Sequence, residues 1–205
     1  LIADALVSQS YGNTTYIVNG SMNSATMNTI AFGNPGGNDA WGGHRATKAW
    51  YGLFGDLGTS TDDRAQLFWT SGHQYEMTDY REWTNGYPSV KFRNSNYFSA
   101  STPTVFSGTD FPLFRLADAY LMYAECVVRG GSGGTLNQAV DYVNALRTRS
   151  NATTITPGQL TLDFIIDERA RELNLEGHRR SDLIRFGKFT GGSYLWPWKG
   201  NAQNG

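Results

Sequence analysis

The chain has 205 residues, of which 40% are hydrophobic, and a formal net charge of −1 at pH 7. A chain of this length can bury roughly 70% of the surface that its unfolded form exposes, which is enough for one core. One domain, or part of one, is therefore the simplest organisation. The balanced charge, without a run rich in Lys and Arg, argues against nucleic acid or an anionic membrane as a partner and favours a neutral one. An apolar run of about 18 residues, which a membrane-spanning helix needs, does not occur.

The N-terminal segment is predicted to consist mainly of loops. Residues 11–27 are rich in Asn, Ser, Thr and Gly, which is a composition typical of turns and loops. Within this segment, Tyr16–Val18 has the β-branched and aromatic content of a short strand.

The most irregular stretch is NPGGNDAWGG, residues 34–43, where two glycine pairs and a proline allow tight turns. Trp41 lies near its end, with Asn38 and Asp39 before it and Arg45 after it. The C–H face of a pyranose can lie flat on an indole, and Asn, Asp and Arg supply donors and acceptors for sugar hydroxyls. The pattern predicts a sugar site at Asn38, Asp39, Trp41 and Arg45, with Trp41 exposed. The alternative, in which Trp41 plugs the loop onto the core, is equally compatible with the sequence.

The middle of the chain is predicted to contain one helix and two short strands. Apolar residues at helical spacing predict a helix over His44–Leu57. A turn at Asp62–Arg64, predicted to be solvated and not a metal site, precedes a short strand at Leu67–Trp69. A second strand is predicted at Lys91–Arg93. Trp83, between them, is a second candidate for sugar contact.

From Asp110 onward the sequence predicts an antiparallel helical hairpin. An apolar stripe that starts near Pro112 and includes Leu113 and Leu116 runs as far as the GGSGG loop. Thr135 and Gln138 predict a capping box at the start of the second helix. Such a pair resembles a tetratricopeptide-like unit in size and needs neighbours to bury its faces. Cys126, the one cysteine, is predicted to be a buried small hydrophobe within the first helix.

A third long helix is predicted over LTLDFIIDERARELNLEG, from Leu160 to a stop at Gly177. Its charged face offers three ion pairs within the helix, namely Asp167 with Arg171, Glu168 with Arg171, and Arg169 with Glu172. We expect Arg169, Glu172 and His178 to be largely buried and hydrogen-bonded. A short helix over Ser181–Phe186 is predicted to follow.

The run IIDERARELNLEGHRRSDLIRFGK, residues 165–188, resembles the signature of the SusD/RagB family. Supporting blocks are FPLFRLADAYLMYAECV at 111–127, with departures at Asp118 and Cys126, and YLWPWKG at 194–200. The turn at Asp62–Arg64 and the strand at Lys91–Arg93 also resemble family motifs. The resemblance implies a mainly α fold of tetratricopeptide-like helical hairpins with long irregular loops and a few short strands.

The family consists of surface glycan-binding lipoproteins that work with TonB-dependent outer-membrane transporters. The resemblance therefore implies an oligosaccharide and a SusC-like transporter as partners, with no cofactor. It also implies a surface position on the outer membrane, with a lipid anchor on an N-terminal segment that this chain lacks. On this basis we expect residues 1–205 to be the C-terminal part of a SusD-like domain. Its regions are a loop-rich part with one helix at 1–109, the hairpin and third helix at 110–190, and a truncated closing loop at 191–205.

Two other functions remain open on the sequence alone. A glycoside hydrolase needs two carboxylates across a sugar, whereas Glu168, Glu172 and Glu176 form one row, which is more simply a structural ion-pair network. His44, His73 and His178 lack the spacing of a metal site. We therefore expect no catalytic residue, no metal ligand and no enzyme activity. The other alternative is a helical-repeat scaffold that binds only protein.

Overall fold

The computed structural model describes residues 17–18, 20, 41–55, 59–92, 109–190 and 194. Two compact units make up the chain. The first comprises Leu1–Lys48, Leu67–Phe111 and Gly200–Gly205, and the second comprises Ala49–Gln66 and Pro112–Lys199. The described residues are mainly helical with a few short strands, which confirms the predicted fold class.

The second unit contains the predicted helical hairpin. Helix α2 (Leu116–Val128) packs against α3 (Leu136–Arg149) and against α4 (Leu162–Glu172), and α5 (Arg179–Arg185) follows α4. The Thr135 hydroxyl caps α3 by accepting from the Gln138 amide at 3.2 Å. The predicted capping box is only half formed, because the Thr135 amide donates to the Tyr123 hydroxyl. A complete capping box is found ahead of α4, where Thr156 precedes and Gln159 ends a 3₁₀ turn at Pro157–Gln159.

The core of the second unit is built from the predicted apolar stripes of α2, α3 and α4. Leu121, Ala139, Val143 and Ile165 are fully buried in it. At their observed burial, complete removal of a side chain such as Leu121 from the core costs about 2–5 kcal/mol. The stripe is shorter than predicted, however, because α2 begins only at Leu116, which is 66% exposed.

Two predictions for α2 are therefore wrong. Leu113 precedes the helix and is 73% exposed, because the residues after Pro112 form a bend and not a first helical turn. Cys126 is exposed, because it lies on the face of α2 away from Leu121 and Ala124.

Helix α4 ends five residues before the predicted stop at Gly177. It ends at Glu172, and the chain then turns through Leu175 and Gly177, whose φ angles are 60° and 78°. A positive φ is uncommon for leucine, so nothing local in the sequence indicates this early end. Helix α5 begins two residues before the predicted Ser181.

The first unit contains a small antiparallel sheet. Strand β1 (Arg45–Ala46) pairs with β2 (Tyr87–Pro88), with Arg45 opposite Pro88 and Ala46 opposite Tyr87. The helix predicted over His44–Leu57 is therefore wrong at its start, because residues 45–46 pair with a strand some forty residues away. What remains helical in the described part of this range is α1 (Lys48–Tyr51) and a 3₁₀ turn at Gly52–Phe54, which Gly55 follows with a φ of 96°. Residues 56–57 lie outside the described residues.

The other predicted strands have different outcomes. Phe68 forms an isolated antiparallel bridge with Ser89. The Trp69 amide donates to the Pro88 carbonyl at 2.8 Å and the Val90 amide donates to the Leu67 carbonyl at 2.7 Å, so all of the predicted Leu67–Trp69 strand takes part in this pairing. Lys91 and Phe92 lie outside any strand, and Arg93 lies outside the described residues. Ile17 and Val18 are helical, which contradicts the strand predicted at Tyr16–Val18. Over the described ranges, none of the helices has the length and apolar character needed to cross a membrane.

Candidate functional site

The structure describes two of the four predicted sugar-binding residues. Asn38 and Asp39 lie outside the described residues. Trp41 and Arg45 both belong to the first unit and are partly buried. Trp41 is thus neither sealed in the core nor fully exposed, and its assignment as a sugar platform stays a prediction.

Arg45 connects β1 to the turn that carries Trp83. Its Nη1 and Nη2 groups donate hydrogen bonds to the backbone carbonyls of Glu82 and Tyr80. The guanidinium carbon also lies 5.6 Å from the centre of the Trp83 ring, which is cation–π distance. Burial lowers the pKa of Arg45, although Asp79 and Glu82 act in the opposite direction. The role of Arg45 is therefore to position this turn, in addition to any contact with a ligand.

Trp83 packs between the loop after Trp41 and a histidine. A Cβ atom on Gly42 would lie 3.2 Å from Cε3 of the indole, and Gly42 has a φ of 62°. His73 contacts the indole edge-on, with ring centroids 5.0 Å apart, and its Nδ1 donates to the Gly86 carbonyl at 2.8 Å. Burial lowers the pKa of His73, which favours the neutral ring. The two candidate tryptophans are thus brought into one region of the first unit, because Trp83 packs on the residue that follows Trp41.

Charged side chains of both signs and aromatic rings lie around this region. Lys48 pairs with Glu76 and lies 5.7 Å from the centre of the Tyr75 ring, which stacks on Tyr87. Tyr80 is 47% exposed. Aromatic rings beside hydrogen-bond donors and acceptors, without an excess of positive or negative charge, suit a neutral polyhydroxyl ligand.

Asp79 and Arg81 form a surface ion pair beside Tyr80. Their side chains approach to 2.8 Å. Hydrogen bonds from Arg81 lower the pKa of Asp79 to about 2. The carboxylate therefore stays ionised at neutral pH and has an acceptor role there.

Glu168, one of the carboxylates considered for catalysis, is fully buried among three arginines. Arg64, Arg147 and Arg171 approach its oxygens to 2.9, 2.7 and 2.7 Å. Burial raises the pKa of Glu168, but the charges of Arg171, Arg64 and Arg147 outweigh it and hold the pKa at about 2. A carboxylate held in this state cannot act as a general acid near neutral pH.

Glu172 is the centre of a second set of ion pairs. It is 3% exposed and contacts Arg64, Arg115 and Arg149 at 2.9, 3.0 and 2.6 Å. Arg115 also binds Glu176 at 2.8 Å. The prediction that this row of carboxylates is a structural ion-pair network is confirmed.

Most of the ion pairs predicted within α4 do not form. Glu168 pairs with Arg171 as predicted. Arg169 instead contacts Asp118 at 2.7 Å and Asp182 at 2.8 Å. Asp167 accepts a hydrogen bond from the Tyr194 hydroxyl. Burial of Arg169 and Glu172 is confirmed, whereas His178 is only partly buried and its side chain does not cap α5.

Sequence reasoning missed the partners of this network. The acidic turn predicted to be solvated is buried at Asp62 and Arg64, which are 6% and 7% exposed, whereas Asp63 is exposed as predicted. Asp62 accepts from Nε and Nη2 of Arg64 at 2.9 and 2.7 Å, which fixes the guanidinium that reaches Glu168 and Glu172. The signal available in the sequence was an aspartate two positions before an arginine, directly ahead of an apolar run, because these two side chains can form a fork-shaped pair. Among the described residues, no group of three or more His, Cys, Asp or Glu side chains is placed to hold a metal ion.

Comparison with known proteins places the chain in a family. The model of the SusD family matches residues 62–204. The chain is 45% identical over 154 residues to the starch-binding protein SusD of Bacteroides thetaiotaomicron, which covers 70% of this chain and 26% of that protein. It is 46% identical over 81 residues to the SusD-like protein P25 of Formosa agariphila, which covers 37% of this chain and 15% of that protein. The chain thus spans a small part of the length of these relatives. Because the family model matches more than half of its residues, the chain belongs to the SusD/RagB family.

Proposed function

We propose that this protein binds neutral oligosaccharides at the cell surface and delivers them to a SusC-like TonB-dependent transporter for nutrient uptake. The observation that carries the proposal is the 45% identity to a protein named for starch binding. Since the alignment covers 26% of that relative, the binding activity of this chain is itself part of the proposal. Attachment to the outer membrane through a lipid anchor belongs to the same proposal and rests on the family resemblance.

The region around Trp41 is the proposed contact with the sugar. Its aromatic platform is Trp41, and Asn38 and Asp39, which precede Trp41 in the sequence, are the proposed hydrogen-bonding residues. Trp83 is a second platform, because it packs on Gly42 and is held there by Arg45. Loops held by a rigid scaffold are where binding residues most often occur.

This site can be tested by measuring saccharide binding. Calorimetry gives the affinity, and electrophoresis in gels that contain amylopectin, glycogen or xylan shows whether the protein is retarded by a polysaccharide. We expect Trp41→Ala to weaken binding by about 2 kcal/mol or more, since aromatic anchors dominate such sites. Phe114→Ala is the matched control, because it removes an aromatic side chain that is 95% exposed in the second unit. Equal binding by wild type and Trp41→Ala would move the site elsewhere, with Trp83→Ala as the next variant.

The hydrolase alternative is tested by measuring reducing ends during the same incubations. We expect none, because Glu168 and Glu172 are both buried under arginines. A steady release of reducing ends that is lost in Glu172→Gln would support a glycoside hydrolase instead.

The protein-scaffold alternative is favoured by one observation, the exposed apolar side chains Leu113, Phe114 and Leu116. An exposed apolar cluster is a common mark of protein contact. If no saccharide binds and no product forms, this alternative replaces the proposed function.

A further inference from the structure

The second unit contains a pocket of about 430 Å³ that is separate in sequence from the Trp41 region. One wall is formed by the 3₁₀ turn at Gly52–Phe54 and by residues 59–62. The facing wall is formed by the end of α3 with residues 152–153 and by one face of α4. This volume lies toward the lower end of the range of about 300–1,000 Å³ that is typical of small-ligand sites, so it suits one or two sugar residues.

The lining combines an apolar floor with many hydroxyl groups. Phe54 and Ala152 are each 8% exposed and form apolar surface beside the Phe164 ring. Hydroxyl-bearing side chains line the rest of the pocket, and they are Thr59, Ser60, Thr61 and Thr153. A saccharide has the same division into C–H faces and hydroxyl edges.

Two arginines offer hydrogen-bond donors to this space. Arg147 donates through Nε to the Thr153 carbonyl and through Nη1 to Glu168. Arg171 binds Glu168 through Nε and Nη2, and Nη1 donates to the Leu53 carbonyl. Since a guanidinium has five N–H groups, both side chains retain donors beyond these bonds. Asp167 lines the same pocket and adds a carboxylate acceptor.

The charges of the lining favour a neutral ligand. Two arginines, Arg147 and Arg171, are balanced by two acids, Asp62 and Asp167, so the formal sum is zero. The arginines are already paired with Glu168, and Asp62 is paired with Arg64. An anion would compete with Glu168 for the guanidinium groups, and a cation would compete with Arg64 for Asp62. A neutral ligand can use the remaining donors without disturbing either pair.

We propose that this pocket is a second saccharide site, which takes one or two residues of a neutral sugar. The class of ligand rests on the proposed function, whereas the location and the neutrality rest on the pocket itself. The two sites belong to different compact units, so each can be changed without altering the residues of the other.

Methyl and indole NMR signals can separate the two sites. The protein is labelled at Leu and Ala methyl groups and at Trp indole nitrogen, and is titrated with maltose, cellobiose and xylobiose. Leu53 and Ala152 report on the pocket, and Trp41 reports on the first site. We expect Leu53 and Ala152 to shift with at least one neutral disaccharide, with affinity on the order of millimolar, and to do so in Trp41→Ala as well.

A bulky side chain at the mouth should block the pocket. Thr153 is exposed and lines the pocket, so Thr153→Trp should weaken the response of Leu53 and Ala152 at least tenfold. The control is Thr154→Trp, at the neighbouring exposed position that does not line the pocket. If Thr153→Trp fails to fold, Thr61→Trp blocks the opposite wall.

Each pattern of shifts decides between the two proposals. Shifts at Trp41 without shifts at Leu53 and Ala152 would overturn the second site and leave the proposed function standing. Shifts at Leu53 and Ala152 that persist in Trp41→Ala and disappear in Thr153→Trp support the second site. A stronger response to digalacturonate than to the neutral sugars would overturn the neutral assignment, and no shift at either site with any sugar would overturn both proposals.

Discussion

The guanidinium of Arg169 and the carboxylate of Asp182 form an ion pair at 2.8 Å, in which both side chains are 2% exposed. This pair joins α4 to α5 across the turn between them, and Asp118 of α2 adds a second carboxylate at 2.7 Å. Three helices of the second unit therefore share one buried cation.

Arg169→Ala should strongly destabilise the second unit. It leaves the buried Asp182 with only the partly exposed Arg185, at 2.8 Å, as a partner, and breaking a buried pair costs up to about 3–5 kcal/mol. For a chain of this size the melting temperature should fall by roughly 6–20 °C, which calorimetry or circular dichroism would detect. Arg180→Ala is the control, because Arg180 is exposed on α5. If the two variants melt within about 2 °C of each other, the buried pair contributes little to stability.

Glu168 should make the fold sensitive to acid. The pKa of its carboxyl is about 2 in the folded chain, against an ordinary value of 4.5. Because the folded-state pKa is the lower one, the stabilising contribution of Glu168 is present above about pH 4.5 and is lost as the pH falls toward 2. The loss in the free energy of unfolding is on the order of 3 kcal/mol.

Urea denaturation between pH 7 and pH 2.5 measures this loss. Glu168→Gln should be less stable at pH 7 and should show a flatter decline in acid than the wild type. Asp141→Asn, at an exposed position on α3, should decline in parallel with the wild type. A Glu168→Gln curve that runs parallel to the wild type over this range would show that Glu168 does not contribute to the acid sensitivity.

Gly42→Ala should displace Trp83. Gly42 has a φ of 62°, and an added Cβ would lie 3.2 Å from the indole. Gly72→Ala is a matched control, since Gly72 has a φ of 74° and nothing within 4 Å of its Cβ position. Both variants should lose about 1 kcal/mol from the positive φ. Only Gly42→Ala should also shift the indole N–H signal of Trp83, and equal spectra would show that the contact is unimportant.

Arg45→Ala should loosen the turn that carries Trp83. The variant loses hydrogen bonds to the carbonyls of Tyr80 and Glu82. We expect a loss of about 1–3 kcal/mol in the free energy of unfolding, with faster amide exchange in residues 79–83. Arg45→Lys should not restore the protection, because one ammonium group cannot reproduce a fork of two donors. Restoration by lysine would mean that charge alone holds the turn.

The helices of the hairpin could be predicted because their signals are local. Leu121 and Val143 lie on apolar stripes of helical period, and a glycine-rich loop joins the two helices. The helix predicted over His44–Leu57 was too long at its start, because the pairing of Arg45 with Pro88 depends on residues far along the chain. The end of α4 was missed because Leu175 adopts a positive φ that leucine rarely takes.

The candidate site, like the fold, has some features that local sequence indicates and others that depend on contacts between distant segments. The sugar contact around Trp41 rests on composition alone and stays a prediction, and the packing of Trp83 on Gly42 became visible only in the folded chain. The ion-pair network was anticipated as structural, yet of its arginines only Arg171 could be named, because the others come from distant segments, as Arg115 does at 57 residues from Glu172. Spacing within a helix predicts pairs on one surface and carries no information about which other segment covers it.

The pairing of Arg64 with Glu172 has a consequence for synthesis of the protein. The two residues are 108 positions apart, and Arg64 is made first. At about 5–20 residues per second, Glu172 follows roughly 5–20 s later. During that interval residues 49–66 have been made without the helix that completes their unit. Slower translation between Arg64 and Glu172 would lengthen the interval in which this arginine is exposed to chaperones and proteases.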